Sequence, residues 1–175
     1  MKIVIAALAF IALAALPAAA DMTGCTGALL GPGLANPGET VTFEFEIANG
    51  SPDGEWTSEV RFVFPETFHI QDGWYDDLGQ GWSFAFSTSG TYLNVAHFTD
   101  VEDDLQGEIE PGTGGLFYVT LEISSNTPCG EHDIRWKQLG DGTGAEPHFI
   151  FEDIVYLLCN TPSEEGSWSS VKSLY

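Results

Sequence analysis

The chain has 175 residues, 26 of them acidic and 5 Lys or Arg, for a formal net charge of −21. Its 43% hydrophobic and 13% aromatic content is too apolar for a disordered acidic tail and sets about one domain's worth of core. A surface this negative repels phosphate backbones and anionic lipid, so nucleic acid is excluded as a natural partner.

Lys2, the unbroken apolar run Ile3–Leu16 and Pro17-Ala18-Ala19-Ala20 follow the order of a secretory signal peptide, with small residues before a cut at Asp21. The expected domain layout is a signal peptide at 1–20, a folded domain at 21–160, and a polar linker with a short tail at 161–175. The alternative for 1–20 is a retained membrane anchor, which its length barely allows. Removing 1–20 takes away Lys2 and no acid, leaving 26 acids against four bases, a charge of −22. Met22-Thr23-Gly24-Cys25 loosely follows a bacterial lipobox, which offers a lipoprotein anchored through Cys25 as the alternative to plain secretion.

Pro37-Gly38-Glu39 opens the clearest strand. In Thr40–Asn49, Val41, Phe43, Phe45 and Ile47 alternate with polar residues, the period of a sheet with one dry face and one wet face. Asn49 to Gly54 is turn chemistry. Val60, Phe62 and Phe64 give the next apolar face, ended by Pro65. Phe68–Phe86 reads as a loop holding Trp74, Tyr75 and Trp82 beside Asp72, Asp76 and Asp77. Strands follow at Trp82–Ser87 and Thr91–Phe98, around Ser89-Gly90, and at Leu116–Ser125 after a Gly-rich turn.

Two last strands, His132–Gly140 and His148–Leu158, flank a turn over 141–147. Folding this hairpin about Gly144 sets Arg135 across from Asp153 and Cys129 across from Cys159. Cross-strand cysteines lie within bridging reach, so a Cys129–Cys159 disulfide is expected, stabilising by about 3–4 kcal/mol. A bulge in the turn would slip the register and leave Cys25 as partner to one of them. An exported chain with 3 cysteines otherwise leaves Cys25 lipidated, free or paired between chains.

The strand count is about seven, with no helical stripe between strands, which rules out parallel βαβ layouts. The expected fold is an all-β, antiparallel, immunoglobulin-like sandwich, with a β-barrel as the alternative. Pro37 to Phe45 with Ile47 to Ser51 resembles the opening strand of immunoglobulin-like modules in bacterial secreted and cell-surface proteins. Ile109-Glu110-Pro111-Gly112 through Leu121 is similar to a later strand of the same modules. The tail Ser167–Tyr175 resembles short Trp- and Lys-containing endings of exported bacterial proteins. The resemblance implies a β-sandwich at the cell surface or outside the cell. It brings no catalytic residues with it.

Three constellations stand out. Trp74, Tyr75 and Trp82 beside carboxylates could form a carbohydrate platform, ring face on sugar face, or else plug the end of the core. Asp100, Glu102 and Asp104 place carboxylates at alternate positions, a pattern that suits Ca²⁺, although it is not an EF-hand. Trp168, Val171, Leu174 and Tyr175 would share one side of a short helix, too brief to be stable alone and so a candidate self-association segment. His69, His97, His132 and His148 are scattered. Nucleophile-elbow, zincin and phosphate-loop motifs are absent from the sequence. The expected function is a non-enzymatic secreted or cell-surface interaction module, with protein or glycan as partner. The alternatives are a carbohydrate-binding module and a self-assembling surface subunit docking through its tail.

Overall fold

The structure, a computed structural model, describes residues 22–89, 94–101, 107–143 and 146–159. The expected signal peptide at 1–20 and the tail residues Trp168, Val171, Leu174 and Tyr175 lie outside the described residues. So do Glu102 and Asp104. Among the described residues no helix is long and apolar enough to cross a membrane.

After a 3-10 turn at Met22–Gly24, nine strands follow: β1 (Thr26–Gly31), β2 (Thr40–Ala48), β3 (Thr57–Val63), β4 (Phe68–Asp76), β5 (Phe84–Thr88), β6 (Val95–Asp100), β7 (Gly114–Ile123), β8 (Gly130–Gly140) and β9 (Phe149–Leu158). They form two antiparallel sheets, ordered β1-β2-β7-β4 and β5-β6-β3-β8-β9. Each sheet keeps free edges, so the architecture is a sandwich and the barrel alternative is set aside.

Alternation builds the core. Phe43, Phe45 and Ile47 of β2 and Phe117, Val119 and Leu121 of β7 are wholly buried on the inner face of one sheet. Val60 and Phe62, Ala96 and Phe98, and Ile134 and Trp136 answer them from the other. The layers meet ring on ring: Phe45 stacks on Phe62 with centroids 4.2 Å apart, and Phe98 meets Phe117 edge-on at 5.0 Å. Each fully buried side chain of this size contributes about 1.5–3 kcal/mol of transfer free energy.

Two strands escape the sequence reading. β4 occupies the stretch expected to be a loop. Its inward residues are Phe68 and Ile70, then Gly73 and Tyr75, because the register with β7 slips between Ile70 and Asp72. The extra residue, Gln71, reverses the parity of the apolar pattern, and a period-two reading fails across it. β1 (TGALLG) has no aromatic residue and Thr26 as its single β-branched one, with two Gly, so propensity gives little signal. The expected strand Trp82–Ser87 begins two residues later in the structure, at Phe84; of Thr91–Phe98, residues 91–93 lie outside the described residues and β6 covers Val95–Asp100.

The last hairpin has the register of a fold about Gly144. Arg135 pairs with Asp153, and Gly130 with Leu158. One position beyond that end, Cys129 and Cys159 are joined by a disulfide, their Cα atoms 5.2 Å apart. Cys25 stands outside that bridge, buried beside Asn49, to whose Oδ1 its Sγ donates at 3.3 Å.

Candidate functional site

The aromatic trio does not converge. Successive residues of β4 point to opposite faces, so Trp74 stands outside and Tyr75 inside. Tyr75 is half-buried, and its hydroxyl donates to the Trp82 carbonyl at 2.8 Å while accepting from the Phe84 amide at 3.1 Å. Trp82 is buried against Phe84. It is steered inward by the β4–β5 turn, where the Asp77 carboxylate accepts from the amides of Gly79, Gly81 and Trp82. Those amides hold Asp77 below the usual carboxylate range. Only Trp74 of the three is exposed. It stacks on Tyr118 of β7 with centroids 5.2 Å apart and planes 10° from parallel.

Asp100 closes β6, where it pairs with Phe84, and so lies in a strand rather than in the expected calcium loop. Glu102 and Asp104 lie outside the described residues. Among the described residues no group of three or more His, Cys, Asp or Glu is placed to hold a metal ion.

The histidines serve as local ties. His69 meets the Ser124 hydroxyl at 2.9 Å, and His132 Nε2 meets the Pro128 carbonyl at 2.8 Å. His148 Nδ1 meets Glu55 Oε1 at 2.9 Å. Glu55 is fully buried, and burial raises its carboxyl above the usual range against the opposing pull of His148 and the Gly142 amide.

A different surface collects the chain's scarce cations. The outer face of the five-stranded sheet carries one row across all its strands: Ser87, His97, Arg61, Lys137 and Phe151 are cross-strand neighbours. The adjacent row sets Val95, Val63, Arg135 and Asp153 side by side. Of 5 Lys and Arg in the chain, the three in described positions, Arg61, Arg135 and Lys137, all stand here. They border a shallow depression of about 490 Å3 with Phe149, Phe151 and His97.

The cations are held in shape by neighbours rather than hidden. Arg61 is forked onto Glu59, with Nη2 donating to Oε2 at 2.7 Å, and Arg135 onto Asp153 at 2.8 and 3.2 Å. The Lys137 ammonium lies 4.5 Å from the Phe149 ring centre, and the Arg135 guanidinium 5.6 Å from that of Phe151. Burial, and then Arg61, hold the His97 imidazole below its ordinary value against the opposing pull of Glu59. The face thus offers apolar rings, exposed 43% at Phe149 and 54% at Phe151, bordered by Lys137 and by two guanidiniums each paired with a carboxylate. It suits a partner that brings carboxylates beside apolar side chains. The Arg135-x-Lys137 and Phe149-x-Phe151 spacings were the sequence signal for it, since the hairpin arithmetic that aligned the cysteines also aligns these.

Cohesin modules are among the solved structures of similar fold. The chain is similar to the cohesin in a cohesin–dockerin complex of OlpA from Clostridium thermocellum, at 15% identity and TM-score 0.53, covering 77% of this chain and 99% of that one. It is similar to the sixth cohesin of scaffoldin B from Acetivibrio cellulolyticus, in complex with a Cel5 dockerin, at 13% and 0.53, covering 78% and 100%. The third is CaCohA2 from Clostridium acetobutylicum, at 18% and 0.53, covering 78% and 92%. At these identities the likeness is one of fold. No protein-family profile matches the chain, and no curated protein does.

Proposed function

We propose that this chain is an exported, non-enzymatic docking module that binds a protein partner on the outer face of its β5-β6-β3-β8-β9 sheet. The observation that carries this reading is the gathering of Arg61, Arg135 and Lys137 beside the exposed rings of Phe149 and Phe151, on a chain otherwise covered in carboxylates. Positive charge on a negative protein selects its partner and orients the encounter, while aromatic rings beside Arg are the usual carriers of interface affinity. Two cohesins of similar fold were solved bound to dockerins, which supports a protein rather than a small molecule as ligand. The Cys129–Cys159 disulfide supports an oxidising compartment, outside the cell or on its surface.

The exposed Trp74–Tyr118 pair on the opposite sheet favours a second reading, glycan binding through Trp74 without Tyr75 and Trp82. The two readings separate in one experiment. Immobilised protein is offered the secreted fraction of its source cells and, in parallel, a glycan array. The docking reading expects a protein retained by wild type and by Trp74→Ala, and lost with Lys137→Glu plus Phe151→Ser. Retention that survives the Lys137/Phe151 change, or glycan binding that Trp74→Ala removes, overturns it.

A further inference from the structure

A sheet edge exposes unpaired backbone donors and acceptors, and proteins usually blunt such edges with short strands, bulges, Pro or charge. Three of the four edges here follow that rule. β1 has six residues, a register slip between Leu29 and Gly31, and Pro32 directly after it. β4 slips between Ile70 and Asp72 and carries Asp72 and Asp76 outward. β5 has five residues.

β9 is the exception. It runs ten residues without Pro, Lys or Arg, paired to β8 with no slip. Among the described residues no strand covers its other side. The Gly140 amide bonds the His148 carbonyl, which fixes the even-numbered residues as those bonding toward β8. The backbone groups of 149, 151, 153, 155 and 157 therefore point to the free edge. One bond caps its far end, from the Cys159 amide to the Ala35 carbonyl at 2.9 Å. The same five residues put their side chains on the outer face, with Phe149, Phe151, Val155 and Leu157 exposed by 43, 54, 58 and 46%.

Their order is symmetric in polarity about Asp153: two apolar residues, the acid, two apolar residues. We propose that β9 is a self-association edge, at which two copies pair antiparallel about a two-fold axis at Asp153. In this register Phe151 meets Val155 of the second copy, and Phe149 meets Leu157. Moving the axis by one residue either way sets Asp153 against Phe151 or Val155, an apolar–carboxylate mismatch that disfavours the slip. At the axis the two carboxylates face each other. Each is already forked by its own Arg135 at 2.8 and 3.2 Å, so the row runs +, −, −, + and the flanking guanidiniums offset the like-charge contact at the axis. A patch that complements itself is what a closed two-fold dimer requires. The product is a continuous ten-stranded sheet with both cationic docking faces on one side, able to grip a repetitive partner twice.

The chain's net charge makes the dimer's salt response diagnostic. Two copies of this acidity repel, and salt screens that repulsion over a few ångströms. Association strengthens as salt rises, opposite to an interface held by ion pairs.

Sedimentation equilibrium of the exported protein, as a concentration series in about 50 mM and about 500 mM NaCl, tests this. The expected result is a monomer–dimer equilibrium shifted toward dimer at the higher salt. Val155→Lys and, separately, Leu157→Glu weaken it at least about tenfold with circular dichroism unchanged. Arg61→Gln, on the docking face but two strands away from the β9 seam, leaves the dimer intact, which keeps this outcome separate from loss of partner docking. Monomer at every concentration and salt overturns the proposal, as does a dimer indifferent to both β9 variants. A dimer abolished only by deleting residues 161–175 overturns it in favour of the tail as the docking segment.

Discussion

The indole of Trp136 fills the place where a side chain on Gly27 would begin: a Cβ there would stand 2.5 Å from Cε2 and 2.8 Å from Nε1. β1 lies in one sheet and β8 in the other, so this contact sets how closely the two layers approach at that corner. Gly73 and the Phe86 ring repeat the arrangement at the opposite corner, at 2.4 Å.

Gly27→Ala and Gly73→Ala are therefore expected to destabilise the fold by about 1–3 kcal/mol each, through overpacking rather than loss of contact. Gly33→Ala, with nothing within 4 Å, is the neutral control. Urea unfolding followed by tryptophan fluorescence measures all three. A neutral Gly27→Ala would show that the layers can separate freely.

Replacing Cys129 and Cys159 together by Ala is expected to cost about 3–4 kcal/mol, from a closed loop spanning a separation of 30 residues. The same urea titration reads it, and reduction of the wild type should reproduce the loss. An unchanged midpoint would mean that the hairpin register already holds β9 without help.

Glu55 carries a pH signature. Its folded carboxyl titrates above the unfolded value, chiefly through burial. The stability it contributes is thus fully present below the ordinary Glu range and declines as pH rises through the raised value. Glu55→Gln mimics the protonated form. Its stability relative to wild type should shift in the variant's favour between pH 4 and pH 7, whatever its absolute level. Thermal melts of both proteins across that range check the sign. A shift the other way would place the carboxyl below its usual range, with the His148 contact outweighing burial.

Tyr75 and Trp74 are neighbours with opposite fates. Tyr75→Phe leaves the Phe84 amide without its acceptor and the Trp82 carbonyl without its donor, and should cost about 1–2 kcal/mol. Trp74→Ala removes an exposed cross-strand stack and should cost about 0.5–1 kcal/mol. Chemical denaturation that ranks them the other way round would mean that Trp74 does more for the edge strand than its exposure suggests.

Legibility followed local regularity. β2 and β7 were readable because their inward apolar residues keep period two, and the β8–β9 hairpin because its turn fixes the register. The pairing of Arg135 with Asp153 came from counting alone. β4 was not readable, since Gln71 reverses parity midway and Gly73 is an inward position without a side chain. Of the two readings of Trp74, Tyr75 and Trp82, the core-plugging one describes Tyr75 and Trp82, while Trp74 parts from them because a strand, where a loop was expected, sends neighbours to opposite faces. The cationic face lay beyond single-strand reasoning: Arg61 and His97 reach Lys137 only through the strand order, which local patterning does not encode.

The disulfide has a mechanical consequence. Strand β9 lies at a sheet margin, where a pull on the chain beyond residue 159 would ordinarily peel it away one hydrogen bond at a time. Tension arriving at Cys159 instead crosses the sulfur bridge into Cys129 and the interior strand beside it, so the load is shared before any bond of the margin gives way. A module tethered by that end could bear traction between anchor and cargo without fraying.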